Sequence, residues 1–260
     1  MTLQLGRMFG DGIGRVFTRT GGLLFVGLLA IQFLVQSSIN TAVLGLFPPE
    51  ATGELEGMLG LTLPVSGTVA GVLLAAAFLL SSAYFVVLSR ALTRPRDELS
   101  TFPSSLYTRR IGRATLSNLG GGVLVGFSVS IGLALLVLPG LFLAVCFLFF
   151  VFAVGVEDRR AIGALRRSWA LSRGNRLKLA VVVIAAGVIG AVVGAVGAVF
   201  ELAGTPLVAE LLSNTIGSAL FVLLYGVMAA AYLGVRDEES DGFGGSEASG
   251  PTGDPTASDV

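Results

Sequence analysis

Between Leu119 and Val156 the chain runs for 38 residues without a charged side chain, and no other feature restricts its fold as much. As one helix this stretch would be about 57 Å long at roughly 1.5 Å per residue, whereas a bilayer core is about 30 Å thick. It therefore has to fold back on itself within the membrane. Pro139 and Gly140 stand near its middle. Proline removes a backbone donor and glycine permits a turn, so the block is read as two spans, 116–137 and 140–156, joined by a tight hairpin. Four further apolar blocks, at 21–42, 66–88, 178–200 and 211–234, are each long enough to cross. With 53% hydrophobic and only 13% charged residues, the chain could not cover its apolar surface with polar groups in water, which excludes a soluble domain. The expected fold is all-α: a polytopic membrane bundle of six transmembrane helices over residues 1–235.

Charge placement supports the same count independently. Basic residues occur before the first block (Arg7, Arg15, Arg19), in the second connection (Arg90 to Arg113), in the fourth (Arg159 to Lys178) and after the last block (Arg236). The first, third and fifth connections carry only acids, Glu50, Glu54, Glu56, Glu201 and Glu210, or no charge. Lys and Arg are retained on the cytoplasmic side, so the expected protein is a multi-pass protein of the cell membrane with both termini cytoplasmic. Arg7, Arg15 and Arg19 before the first block would also suit a secretory signal. Gln32 and Gln36 inside that block, and the lack of a clean small-x-small site after it, favour an uncleaved span.

Outside the spans, residues 157–174 read as an amphipathic helix lying in the headgroup layer, with Asp158 as N-cap and Gly174-Asn175 at its end. Arg159, Arg160, Arg166, Arg167 and Arg173 share one arc, while Ile162, Leu165 and Trp169 lie on the other. These basic residues set topology. Together with Trp169 they are also the candidate contacts for lipid phosphate or a partner. Weaker basic helices at 3–20 and 106–119 suggest three repeated units. Glu50 and Glu54, one helical turn apart, are read as part of a solvated acidic loop rather than a cation site. The segment 236–260 carries one basic and seven acidic residues among Gly, Ser, Pro and Thr, and is expected to be a disordered acidic tail. That tail, and 16 arginines against one lysine, fit a high-GC halophile.

Chemistry is harder to find. The chain has no histidine and one cysteine, Cys146, which removes the commonest general base, any internal disulfide and a thiolate zinc cluster. No ionisable residue falls between the span ends as drawn, against the habit of pumps and carriers. Intramembrane polar residues such as Ser81, Ser82, Tyr84, Asn118 and Tyr225 are expected to hydrogen-bond between helices. Gln32, Gln36 and Asn40 share one face of the first span and, with Asn118 and Asn214, form a candidate polar path for a small or lipid-like solute. The glycines Gly187, Gly190, Gly194 and Gly197, and the pair Gly122 and Gly126, are read as close packing within the bundle.

One stretch carries a resemblance. Leu138-Pro139-Gly140-Leu141, the Phe-rich span, Glu157-Asp158, and the run from Ala164 through Arg166-Arg167-Ser168-Trp169 to Asn175 resemble the membrane domain found with some glycerophosphoryl diester phosphodiesterases. They also resemble related stand-alone multi-pass proteins of bacteria and archaea. The resemblance covers 138–178 and implies a membrane module associated with lipid. The phosphodiesterase activity belongs to a separate soluble barrel with histidines, which this chain lacks, so it is not implied. The expectation is a non-enzymatic module without cofactor or metal, whose partners are the bilayer and its anionic lipids rather than nucleic acid. The alternative is a permease.

Overall fold

The computed structural model describes residues 5–247. The side chains of Arg7, Glu50 and Glu54, and the tail 248–260, to which some of these expectations apply, lie outside the described residues.

Among the described residues six helices, or helix pairs, are long and apolar enough to cross a membrane. They are α2 (Arg19–Leu44), α4 (Gly67–Leu92), α6 (Ile111–Leu135), the pair α7 (Val137–Cys146) and α8 (Phe150–Gly155), α10 (Arg176–Leu202) and the first part of α11 (Pro206–Glu247). The fold is a helical membrane bundle. Neighbours in sequence are neighbours in space, and α11 returns to α2, so the spans close into a ring. Around it lie α1 (Leu5–Val16), α3 (Pro49–Glu56), α5 (Ser105–Thr108) and α9 (Ala161–Ser172).

Hydroxyl and amide groups stitch the spans together without charge. Tyr84 donates to the Leu24 carbonyl at 2.7 Å, Ser82 to the Thr115 carbonyl at 2.8 Å, and Asn118 to Ser82 Oγ at 3.1 Å. In hydrocarbon such groups have no water to turn to, and these three find a partner on the next helix. Burial is uneven. Half of the spanning part of α11 (50%) is buried but only 11% of that of α10, which makes α11 the most enclosed member of the ring and α10 an outer stave. The packed core gathers Phe149, Phe152, Tyr225 and Tyr232 with Leu88, Leu92, Leu179 and Met8, and the Phe152 and Tyr232 rings stack at 5.3 Å.

Several expectations are corrected. The hairpin turns at Leu136, whose extended backbone (φ −157, ψ 136) separates α6 from α7. Pro139 lies in the first turn of α7, where its missing N–H costs nothing, and Gly140 lets that turn press against Gly132. Of the three basic units, only α1 and α9 exist as separate longer helices. The middle one shrinks to the single turn α5, and Arg113 belongs to α6. Gly187, Gly190 and Gly194, like Gly122 and Gly126, have nothing within 4 Å of where a side chain would start, so these stripes face outward. Gly197 alone of the α10 set meets a neighbour, Ser213. The tail begins as helix: α11 continues past Arg236 to Glu247.

The fourth span is interrupted, and the interruption is built in. Between α7 and α8 the chain loses its helical ladder at Phe147–Phe149, which would leave polar backbone in an apolar core. Ser168 of α9 closes the gap: its hydroxyl accepts from the Phe149 N–H at 3.1 Å and donates to the Cys146 carbonyl at 2.9 Å. Ser168→Ala is expected to cost about 1–3 kcal/mol, because two buried backbone groups lose their partner. Unfolding of the purified protein in a mixed micelle measures this, and a loss below about 0.5 kcal/mol would show that the break needs no bridge.

Candidate functional site

The connections carrying arginine all come together at one end of the bundle. Arg15 of α1 donates to the carbonyls of Leu92 and Arg94 at 2.9 and 2.7 Å, and Arg96 pairs with Asp11 at 2.8 Å. Burial and the neighbouring Arg96 lower the Arg15 pKa. At the centre of this end lie Glu157 and Asp158, just past α8.

Asp158 is not the N-cap of α9; Arg160 occupies that position and the helix starts at Ala161. Asp158 instead adopts a left-handed backbone (φ 52), which aspartate tolerates better than most residues. Its carboxylate faces Arg90 at 3.2 Å and Arg109, while its carbonyl accepts from Arg113 at 2.6 Å. Arg90, 8% exposed, fans out further to the carbonyls of Gly155, Leu106 and Arg109. Glu157 is held by Arg159, Arg167 and the Tyr232 hydroxyl at 2.7 to 3.0 Å. Burial pushes the Glu157 carboxyl up, but these hydrogen bonds outweigh it and hold the pKa below the usual carboxylate range. Arg167 also grips Glu239 of α11 in a two-pronged pair at 2.6 and 2.8 Å, which raises its own pKa and lowers that of Glu239.

This divides the arginines of the fourth connection. Arg159 and Arg167 are taken up by Glu157, whereas Arg160, Arg166 and Arg173 are exposed. The basic helix expected in the headgroup layer, α9, packs on the bundle. α9 buries Ala164, Ser168, Leu171 and Ser172 against α6, α7 and α8, and its small residues allow that close approach. Ile162, 64% exposed, remains on the outside.

Beside the free arginines lies an aromatic shelf. Trp169 meets Phe142 edge-on at 5.7 Å and Phe147 at 5.9 Å. The Arg176 guanidinium stands 4.9 Å from the Phe142 ring centre and 5.3 Å from that of Trp169. Two shallow clefts meet at Arg173. One, of about 360 Å³, is lined by Phe147, Arg166 and Trp169; the other, of about 390 Å³, by Arg176, Leu177 and Lys178. Gly174 (φ +85) makes the turn that brings the start of α10 beside the end of α9. The result is a cationic rim over aromatic and aliphatic walls, suited to a phosphate bearing acyl chains.

The candidate polar path is only partly assembled. Gln36, Asn40 and Asn214 line one chamber at the opposite end of the bundle. Gln32 is exposed on the outside of α2, and Asn118 is bound to Ser82. Several ionisable residues placed in connections by the sequence belong to span helices, among them Arg90 to α4, Glu201 to α10 and Glu210 to α11. Glu210 could have been found, because Glu210, Asn214 and Ser218 repeat every four residues on one helical face. Nothing in the sequence marks Ser168 or Arg176 as a partner of distant groups.

A ring of six apolar spans with a basic, partly amphipathic collar at one end defines a polytopic helical membrane protein. The chain belongs to the family described as Domain of unknown function (DUF7847), which it matches over residues 3–235. No curated protein and no solved structure matches it.

Proposed function

We propose that this protein is a non-enzymatic module of the cell membrane, with its arginine-rich end and both termini facing the cytoplasm, that holds an anionic lipid headgroup against α9. The observation that carries this reading is the pairing of two arginines without a partner among the described residues, Arg166 and Arg173, with the Trp169–Phe142–Phe147 shelf. Arg176 and Lys178 extend the basic rim, and the exposed Leu177 adds apolar surface beside them. The orientation rests on the placement of Lys and Arg. The resemblance of 138–178 to the membrane domain of glycerophosphoryl diester phosphodiesterases agrees with a lipid-associated role. The polar stripe does not extend this into a permease reading, since Gln32 and Asn118 do not join the chamber that Gln36, Asn40 and Asn214 line.

The single tryptophan makes the test direct. In nanodiscs containing a brominated phosphatidylglycerol or, at the same mole fraction, a brominated phosphatidylcholine, Trp169 fluorescence is expected to be quenched more by the anionic lipid. Replacing Arg166 and Arg173 together with Gln should remove that preference, about 1 kcal/mol for each arginine near the surface. Equal quenching of the unaltered protein by the two lipids would overturn the reading.

A further inference from the structure

At the end of the bundle opposite the arginines, α2, the 57–66 connection and the start of α11 enclose a chamber of about 220 Å³ lined by Gln36, Asn40, Gly60, Glu210, Ser213 and Asn214. Glu210 is its organising group. One carboxylate oxygen accepts from the Leu61 N–H at 2.8 Å and from Asn40 Nδ2 at 3.2 Å. Asn40 Nδ2 also donates to the Leu61 carbonyl at 3.0 Å, and Asn40 Oδ1 accepts from Gln36 at 3.1 Å. A side chain at position 60 would collide with the Glu210 carboxylate, so Gly60 leaves room for it.

The electrostatics of this chamber are incomplete. Among the described side chains three carboxylates are drawn in from the surface: Glu157, Asp158 and Glu210. The first two lie against arginines, while Glu210 has no basic partner among the described residues. Its second oxygen is buried without a donor, and the Asn214 amide nitrogen, one turn further along α11, is buried without an acceptor. Removing a carboxylate from water without a counter-charge is costly, and neutral amide donors repay only part of that cost. No arginine or lysine lines the chamber, and the second acid at its rim, Glu201, is exposed.

From this combination we infer that the Glu210 chamber is a binding site for a small alkali cation of sodium's size. The residues that line it carry hard oxygen atoms: the Glu210 carboxylate, the Ser213 hydroxyl, and the side-chain amides of Gln36 and Asn214. One inward carboxylate balances one positive charge. A divalent ion such as calcium generally recruits several carboxylates and does not match this donor set. The chamber is far larger than the bare ion, so the cation keeps part of its hydration water. This site lies at the other end of the bundle from the lipid groove and does not depend on it.

Thermal unfolding of the full chain in detergent tests the inference, with sodium chloride replacing N-methyl-D-glucamine chloride at constant ionic strength. Sodium is expected to raise Tm saturably, by about 5 °C at a hundredfold excess over its dissociation constant. Glu210→Gln should abolish the rise and Glu201→Gln should leave it. Radiolabelled sodium should bind the unaltered chain at one ion per molecule, which keeps the test sound should Glu210→Gln fail to fold. Absence of both the Tm response and the stoichiometric binding would overturn the site. So would an undiminished response in folded Glu210→Gln, or saturation by micromolar calcium in place of sodium.

Discussion

Arg90→Met is expected to destabilise the protein by about 3–5 kcal/mol, the cost of breaking a buried ion pair by removing one partner. Arg90 ties four segments together at once. Its guanidinium joins the last turn of α4 to the Gly155 carbonyl, to Leu106 and Arg109 of the second connection, and to Asp158. Methionine would fill much of the volume yet leave three carbonyls without this donor and Asp158 without its most buried counter-charge. Arg90→Lys should be almost as damaging, because a single ammonium cannot reach in the three directions that the planar fork serves. Asp158→Asn retains an acceptor for Arg90 and should cost less, about 1–2 kcal/mol. Equilibrium unfolding in mixed micelles gives all three values. A loss below about 1 kcal/mol for Arg90→Met would mean that the hub decorates the fold rather than holding it.

The second large effect is expected at the meeting of α1 with α11. Gly12 and Gly226 bring two helix backbones into direct contact: a first side-chain carbon on Gly12 would lie 2.5 Å from the Val227 Cα, and one on Gly226 would lie 2.5 Å from the Gly12 carbonyl oxygen. Gly12→Leu or Gly226→Leu must therefore push the helices apart, at a cost of about 3 kcal/mol, and should release α1 to limited proteolysis. Gly6 and Gly10 provide the control. They lie on the same helix with open space around them, so Gly10→Ala should be neutral or slightly stabilising, as expected when a helix loses an interior glycine. If Gly12→Leu proved as harmless as Gly10→Ala, α1 would be resting on lipid rather than on α11.

The outcome for α1 shows where reading the sequence stops. Arg7, Arg15 and Arg19 among Met8, Phe9, Ile13 and Phe17 mark an amphipathic basic segment. That pattern suits a helix on a membrane surface and a helix docked on a protein equally well. The same ambiguity affects α9, whose arginines divide into paired and free only because Glu157 and Glu239 approach Arg167 from elsewhere. On α11, by contrast, the four-residue spacing of Glu210, Asn214 and Ser218 is legible in the sequence, but the span expected at 211–234 starts five residues after the helix does and leaves Glu210 outside.

The number of long apolar segments, and the alternation of basic with acidic or uncharged connections between them, are properties of the sequence by itself. Both follow from local, nearly additive transfer energies, in which each charge or apolar residue counts wherever its neighbours in space happen to be. Only the tertiary structure decided that Arg90 meets Asp158, that Ser168 bridges the break before Phe149, and that Asn40 and Glu210 share a chamber. In a bilayer the outward face of a helix is as apolar as the inward one. Periodicity therefore does not reveal how each span is rotated, and the rotation determines which polar groups find one another.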